Sequence, residues 1–396
     1  MIRRMAAPDV PRKTDTSILN SLAFRGVVYQ ILLACGVAFV GWYLYVNVNA
    51  NLDRQGIATG FDFLQEAAGF DIGESLIPFD SSQSYGRILL AGILNTLYVA
   101  FFGIILATII GIAMGIARVS RNWLVSKLAS GYVEVCRNVP VILHVIFWAS
   151  VIRNLPSPRQ AITPMEGVFI TNRGIIYPIP VENALYPWMG AALLVGIVGA
   201  IVFNRWANKR REQTGQYMPT LWPSLGMIFG LPLVVWLLGG APLQWDVPAL
   251  RGFNYQGGAS LSPEFVALLV GITVYTAAFI AEIVRAGIQS VSHGQVEAAR
   301  AIGLRPGLVM RLVILPQALR VIVPPTTSQY LSLTKNSSLG VLIGYPDLVN
   351  VGNTTLNQTG QAVEAIAVMM MVYLLISLTI SLFMNIYNRV VAIQER

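Results

Sequence analysis

Apolar residues run along this chain in long blocks rather than in strict alternation. Eight blocks stand out, roughly at 27–48, 88–117, 130–152, 185–204, 219–240, 262–284, 321–343 and 363–388. A hydrocarbon layer about 30 Å thick is crossed by a helix of about 20 apolar residues, so each block predicts a membrane span. The second carries no charge between Arg87 and Arg118. The fifth contains Pro232 and the seventh opens at Pro324 and Pro325; both are tolerable where neighbouring helices satisfy the freed backbone groups. The first block is longer than the apolar part of a signal peptide and lacks a small-residue cleavage site, so it reads as an uncleaved span. The expected fold is an all-α integral membrane protein with about eight transmembrane helices.

Composition supports this. Of 396 residues, 55% are hydrophobic and 12% charged, with a mean hydropathy of +0.62. Soluble proteins average about 25% charged residues, and the shortfall excludes a soluble enzyme or a disordered chain. The net charge of +8 is a topology signal, because its basic residues are scattered between apolar runs. With an inside N-terminus, 19 of the 27 Lys and Arg residues fall in cytoplasmic segments, from Arg3 to Arg396, and six in outside ones. That bias puts both termini in the cytoplasm and leaves no nucleic-acid footprint. Cys35 and Cys136 form no motif and read as small buried hydrophobes.

The loops differ. Residues 49–87 carry six acids, with room for a short amphipathic helix. Residues 153–184 and 241–261 are rich in Pro or Gly and suggest no independent soluble domain. The inside segment 285–320 has helix-forming sequence: Glu297-Ala298-Ala299-Arg300-Ala301-Ile302-Gly303, then Val313-Ile314-Leu315-Pro316 after nine residues. A helix ending at Gly303, whose missing Cβ suits a left-handed cap, would precede a second that starts at Pro306. Two short helices at an angle make a compact protrusion, smooth at Ala298 and Ala299 and charged at Arg300.

With that spacing the chain resembles the membrane subunits of bacterial ABC importers, whose cytoplasmic coupling loop has this pattern. Glu297, Ala298, Ala299, Gly303, Leu315 and Pro316 match it, while Val313 replaces the usual Ile. The resemblance narrows to the polar amino-acid permeases (histidine, glutamine and general L-amino-acid). Its carriers are Gly92-Ile93-Leu94-Asn95-Thr96-Leu97, Tyr132 to Pro140, Tyr275 to Ile288, and Leu333-Thr334-Lys335-Asn336-Ser337-Ser338-Leu339. Asn138-Val139 stands where Gly-Thr is usual, and His144 where Gln is common. A five-helix type I importer core over 88–152 and 262–388 is implied, with 1–87 as an added N-terminal region. Residues 153–261 form an insertion with two extra spans, and 389–396 a cytoplasmic tail. The length, insertion and lack of an attached binding domain resemble the general L-amino-acid branch and its Q-type subunits.

The resemblance implies L-amino-acid import across the bacterial inner membrane by alternating access. It also implies a second permease subunit in a heterodimer, cytoplasmic ATP-binding cassette subunits, and a periplasmic amino-acid-binding protein. The chain has no GxxxxGK[ST], so it lacks a phosphate-cradling loop; ATP and Mg belong to the partner ATPase and this chain binds no cofactor. Coupling falls to Glu297, Ala298, Ala299, Arg300, Gly303, Leu315 and Pro316. Charges within spans are costly and mark candidate function. An amino acid presents an ammonium, which Glu282 can receive, and a carboxylate, which Arg137 or Lys335 can receive with Asn95, Asn336 and Ser337. The plainer reading pairs Glu282 with Arg285 or Arg137 to neutralise buried charge. His144 reads as a satisfied core residue and His293 as a solvated one; they are too far apart to hold a metal. An ion-gradient-driven transporter or channel is the alternative, but it predicts inverted repeats and several deep acidic sites, which the sequence does not display.

Overall fold

The computed structural model describes residues 22–56, 59–216 and 218–391. Arg3, Arg4, Arg12, Lys13 and Arg396, which carry part of the sidedness argument, lie outside the described residues, as does most of the expected tail.

Helices α1 (Leu22–Gln55), α2 (Tyr85–Arg118), α3 (Trp123–Asn138) and α4 (Val141–Arg153) open the chain. The Ser84 side chain caps α2 by accepting from the Arg87 amide. Strands β1 (Ile162–Met165), β2 (Val168–Thr171), β3 (Gly174–Tyr177) and β4 (Ile179–Pro180) follow. Next comes a helical hairpin of α5 (Tyr186–Thr214), α6 (Leu221–Leu225) and α7 (Leu231–Leu238), with a π-turn over Gly226–Gly230. Strands β5 (Trp245–Asp246), β6 (Ala249–Arg251), β7 (Asn254–Gln256) and β8 (Ala259–Leu261) lead to α8 (Pro263–Gln289). That helix starts with the Ser262 cap, Pro263 in its first turn and Glu264 against the helix dipole, three agreeing N-terminal signals. Then come α9 (His293–Ala301), α10 (Pro306–Val309), α11 (Leu315–Asn336), α12 (Leu348–Thr359) and α13 (Ala362–Val391).

Helix α8 is the axis of the core. Phe265, Leu268, Ile272 and Ile280 are buried together with Val99 of α2, Val145 of α4, Leu333 of α11 and Tyr345. Small residues make these crossings close. On α2, Gly103, Ala107, Gly111 and Gly115 recur every four residues. A Cβ at Gly111 would lie 2.6 Å from the Ile280 Cβ, and one at Gly115 2.6 Å from the Val284 Cβ. Gly271 allows α4 to cross, since its Cβ would meet the Val145 Cα at 3.0 Å. Lipid tails are as apolar as side chains, so close backbone packing holds such helices together. A second buried cluster, Phe63, Tyr85, Leu348, Val351 and Met369, ties the segment before α2 to α12 and α13.

Neither α1 nor the α5–α7 hairpin contributes to these buried clusters. The hairpin packs on itself, with Gly196 so close that a Cβ would lie 2.3 Å from the Met227 carbonyl oxygen.

Seven helical stretches among the described residues are long and apolar enough to cross a membrane, and α3 plus α4 make an eighth if that bent pair is one span. The pair corresponds to the block expected at 130–152, which is broken by a 106° bend. Pro140 cannot donate a backbone hydrogen bond and holds the chain extended before α4. The seventh span begins at Pro306, not 321, so Pro324 and Pro325 lie inside α11. The second helix of the expected protrusion is therefore the foot of that long span. Among the described residues between α1 and α2 there is no amphipathic α-helix, only a single 3-10 turn over Asp62–Gln65 that buries Phe63.

The insertion is also not wholly helical. Strands β1, β2, β3 and β8 form a four-stranded antiparallel sheet, with β4–β5 and β6–β7 as two-stranded ribbons. These strands are two to four residues long, too short for a period-two pattern to register in the sequence. Finally, Cys136 is buried but Cys35 is exposed: α1 supplies no residue to the buried clusters, and its later part, from Leu44 to Asn49, lines a cavity shared with Val363 and Ala367 of α13.

Candidate functional site

Helix α9 has no side-chain cap at Ser292 but a firm C-terminal stop. At its C-terminus the Leu304 amide donates to the Ala299 carbonyl at 3.2 Å and the Gly303 amide to that of Arg300 at 2.9 Å. With Gly303 at φ +84°, this is a Schellman stop, and a Cβ there would face the left-handed penalty. Pro306 then opens α10. Glu297, Ala298 and Arg300 are exposed while Ala299 is buried, so α9 offers one face outward and seats the other. Ile302, at 78% exposure, stands beyond the last turn. Leu315 is exposed and Pro316 half-buried, both at the start of α11.

One tether was not anticipated. The Gln317 amide donates to the Gln295 side chain and, at 2.9 Å, to the Val313 carbonyl. It links α9 directly to the foot of α11. Two glutamines 22 residues apart carry no signal in a single sequence.

Above α9 lies a compact charge cluster. Glu282 on α8 is paired with Arg118 at the end of α2 and with Arg285 one turn on, whose Nε donates at 3.2 Å. The Arg137 guanidinium, at the end of α3, approaches to 3.8 Å and lies 5.2 Å from the centre of the Phe279 ring. One carboxylate thus joins three helices. The pairings with Arg285 and Arg137 were foreseen; Arg118 was missed, although it is the charge that closes the second apolar block.

The remaining path residues lie elsewhere. Asn95, buried on α2, donates to the Glu74 and Pro346 carbonyls, each at 2.9 Å. Ser337 is buried and donates to the Thr334 carbonyl at 2.7 Å. Asn336 is half-buried, and Lys335 is exposed. Asn95 is 23 residues up α2 from Arg118, about 35 Å along the helix. The structure therefore brings Glu282 and Arg137 together and keeps them far from Asn95.

Around Asn95 the fold half-buries Glu74 and buries Asp347, two acids that the sequence did not single out. Glu74 accepts from the Ser262 hydroxyl, and burial raises its pKa. Asp347, outside the spans, caps α12 by accepting from the Asn350 amide at 2.9 Å. Burial pushes its carboxyl up to about 7, against the lowering effect of that amide. Its second oxygen and the Tyr373 hydroxyl are both buried without a hydrogen-bond partner. His144 is satisfied, its Nε2 lying 3.2 Å from the Cys136 carbonyl oxygen. No group of His, Cys, Asp and Glu among the described residues is placed to hold a metal.

Comparison with known proteins follows the same lines. Residues 192–393 match the family described as "Binding-protein-dependent transport system inner membrane component". The chain is 50% identical over 375 residues to the "General L-amino acid transport system permease protein AapQ" of Rhizobium johnstonii, covering 94% of each. It is 49% identical over 390 residues to the "Putative amino-acid ABC transporter permease protein YhdX" of Escherichia coli, covering 96% of this chain and 99% of the other. The "Glutamate/glutamine/aspartate/asparagine transport system permease protein BztB" of Rhodobacter capsulatus is 42% identical over 413 residues, at 96% of each chain.

Proposed function

The chain belongs to the inner-membrane components of binding-protein-dependent transport systems, and from that premise we propose that it carries L-amino acids inward as one half of a permease heterodimer. In this family ATP is hydrolysed on a separate subunit, so the permease contributes a path and a mechanical link. The link is α9. Its exposed Glu297–Ala298–Arg300 face docks on the ATPase, Ala299 seats it, and Gly303 fixes its end. The Gln295–Gln317 tether and the Leu315–Pro316 segment pass its movement to α11. Closure of the ATPases moves α9, and the spans rock between inward-open and outward-open states, a bistable arrangement that both ends bias.

The path reading is supported by the exposed side of α11. Ser328, Ser332 and Lys335 are exposed at spacings of four and three residues on a membrane-crossing helix, one helical face. A polar stripe ending in a cation is expensive against lipid. We place it on the translocation path, where Lys335 and Asn336 receive the carboxylate and Asn95 and Ser337 brace the wall behind. The Glu282–Arg137 pair stands at the cytoplasmic end of that path, where the ammonium leaves. Both termini and α9 are cytoplasmic, and the strands of the insertion face the periplasmic binding protein. The extra spans α1 and α5–α7 form the lipid-facing periphery.

The single observation carrying the coupling role is the capped, outward-facing α9 seated by Ala299. Glu297→Arg tests it in the complete importer reconstituted in vesicles. Loss of ATPase co-purification, with membrane insertion unchanged, is the expected result. Intact assembly and ATP-driven uptake in that variant would remove the coupling assignment.

A further inference from the structure

An apolar groove of about 700 Å³ runs along α5 from Leu194 to Trp206, with Val198, Gly199 and Val202 beneath it and Met227 of the returning arm as one wall. Two contacts hold the arms at this spacing: Gly196 seats the Met227 carbonyl, and the Asn204 amide donates to the Ser224 hydroxyl at 3.0 Å. Tyr186 and Trp206 lie 20 residues apart, about 30 Å of helix, which is the thickness of the hydrocarbon layer. These two aromatic residues therefore mark its two boundaries, and the groove fills the leaflet on the Trp206 side. The same helical face continues into cations. Arg205, Lys209 and Arg210 follow Val202 by three, seven and eight residues and are all exposed. The Arg210 guanidinium lies 5.4 Å from the centre of the Trp206 ring. Glu212, on the Arg205 flank, is the one acid of α5.

We propose that this groove holds an acyl chain of an anionic phospholipid whose phosphate lies among Arg205, Lys209 and Arg210. From Leu194 to Trp206 the groove is about 18 Å long, against about 15 Å of hydrocarbon in one leaflet. A chain laid in it runs from the cations toward the middle of the membrane. Three cations against one acid select an anionic headgroup, and the negatively charged cytoplasmic leaflet supplies it. A helix of a partner protein would fill the groove but leave those cations unused. The hairpin adds no residue to the buried clusters, and the strands that flank it lie at its opposite, periplasmic end. A bound lipid therefore pins the end of the hairpin farthest from those strands. The inference rests on the lipid-facing placement of α5–α7 proposed above, and its test reads lipid contact independently of transport.

The complete importer, assembled with its ATPase, is reconstituted in vesicles of equal phosphatidylglycerol and phosphatidylcholine, in which one or the other lipid carries a mid-chain diazirine. After irradiation, the labelled peptides are mapped and counted by mass spectrometry. Phosphatidylglycerol is expected to label 194–206 in clear excess over phosphatidylcholine. Lys209→Gln lowers that preference about five-fold, the effect of one basic group near a charged surface. Gly199→Leu, whose Cβ meets only the Met227 sulfur at an ordinary 3.6 Å, fills the groove and lowers labelling by both lipids. Labelling of α1 stays unchanged in both variants and guards against misfolding. Equal labelling of 194–206 by the two lipids overturns the proposal. So does a preference that survives Lys209→Gln, or labelling that survives Gly199→Leu; each of these leaves the lipid-facing placement standing. Absence of any lipid label on α5, with α1 labelled, overturns that placement as well, because the groove is then covered by protein.

Discussion

Glu282 and Asp347 are both acids inside the packed body, and their surroundings give them opposite roles. Glu282 has more cationic partners than it can neutralise, so removing its charge leaves Arg118, Arg137 and Arg285 facing one another. Breaking a paired charge by deleting one partner is destabilising by about 3–5 kcal/mol when fully buried; partial exposure here reduces that. Glu282→Gln is expected to lower the thermal midpoint in detergent and to disturb transport together with it. Normal stability with lost substrate-stimulated ATP turnover would instead place Glu282 in contact with the amino acid. Asp347 has no cationic partner among the described residues, and its pKa of about 7 lies above the ordinary carboxylate value. The folded state then binds a proton more tightly than the unfolded chain, so its stability is highest at low pH and falls as pH rises from about 4 through 7. Asp347→Asn keeps a capping oxygen for the Asn350 amide and removes the ionisation. Melting curves between pH 5.5 and 8.5 are expected to show a shallower decline for the variant. The importance of Glu282 was legible because a charge in an apolar block is conspicuous. Asp347 was not, because it follows a Gly-Tyr-Pro run that reads as a loop, and only the packing of Tyr345 and Leu348 buries it.

At the scale of elements, the spacing of small residues decides how closely helices meet. Gly111 lies against Ile280 with no room for a side chain. Gly111→Leu forces α2 off α8, and overpacking of this kind costs about 1–3 kcal/mol or more. A lower melting temperature and weaker assembly are expected, whereas Gly131→Leu, on an open side of α3, should leave both unchanged. The contrast between these variants checks the packing argument. Helix ends that depend on a local residue were readable: Gly303 stops α9 and Pro306 starts α10, as their chemistry dictates. The bend between α3 and α4 was not readable as a bend, since apolar residues continue on both sides of Asn138 and Pro140. The start of α11 was misplaced for a related reason. Prolines at the N-terminal edge of an apolar block usually mark a beginning, yet Pro324 and Pro325 lie mid-helix on an exposed side.

For the whole molecule, α1 and the α5–α7 hairpin stand apart from the buried clusters, whereas Phe63 before α2 and Leu261 of β8 pack into them. The family was legible from the motif around Glu297 and from segments such as Leu333 to Leu339. The strands flanking the hairpin were not, because their pairing joins residues as distant as Tyr177 and Ala259. Since α1 and α5–α7 contribute nothing to the buried clusters, removing 185–240 should leave the core folded. The expected result is weaker assembly with the second permease subunit, measured by co-purification, with affinity for substrate-loaded binding protein little changed. A core that melts or aggregates on that deletion would contradict the separation.

One consequence follows from the seventh span. From Pro306 to Ile343 it runs for 38 residues, about 57 Å if uniformly α-helical, and its two adjacent prolines fall at the midpoint. Each proline removes a backbone hydrogen bond, so the rod is weakened at its centre, between a π-turn at Met310–Ile314 near its foot and a 3-10 turn at Ser337–Ile343 near its far end. The half that carries Gln317 can therefore swing about Pro324 and Pro325 while the half that carries Lys335 stays packed, so the span bends at a hinge instead of tilting as one stiff rod.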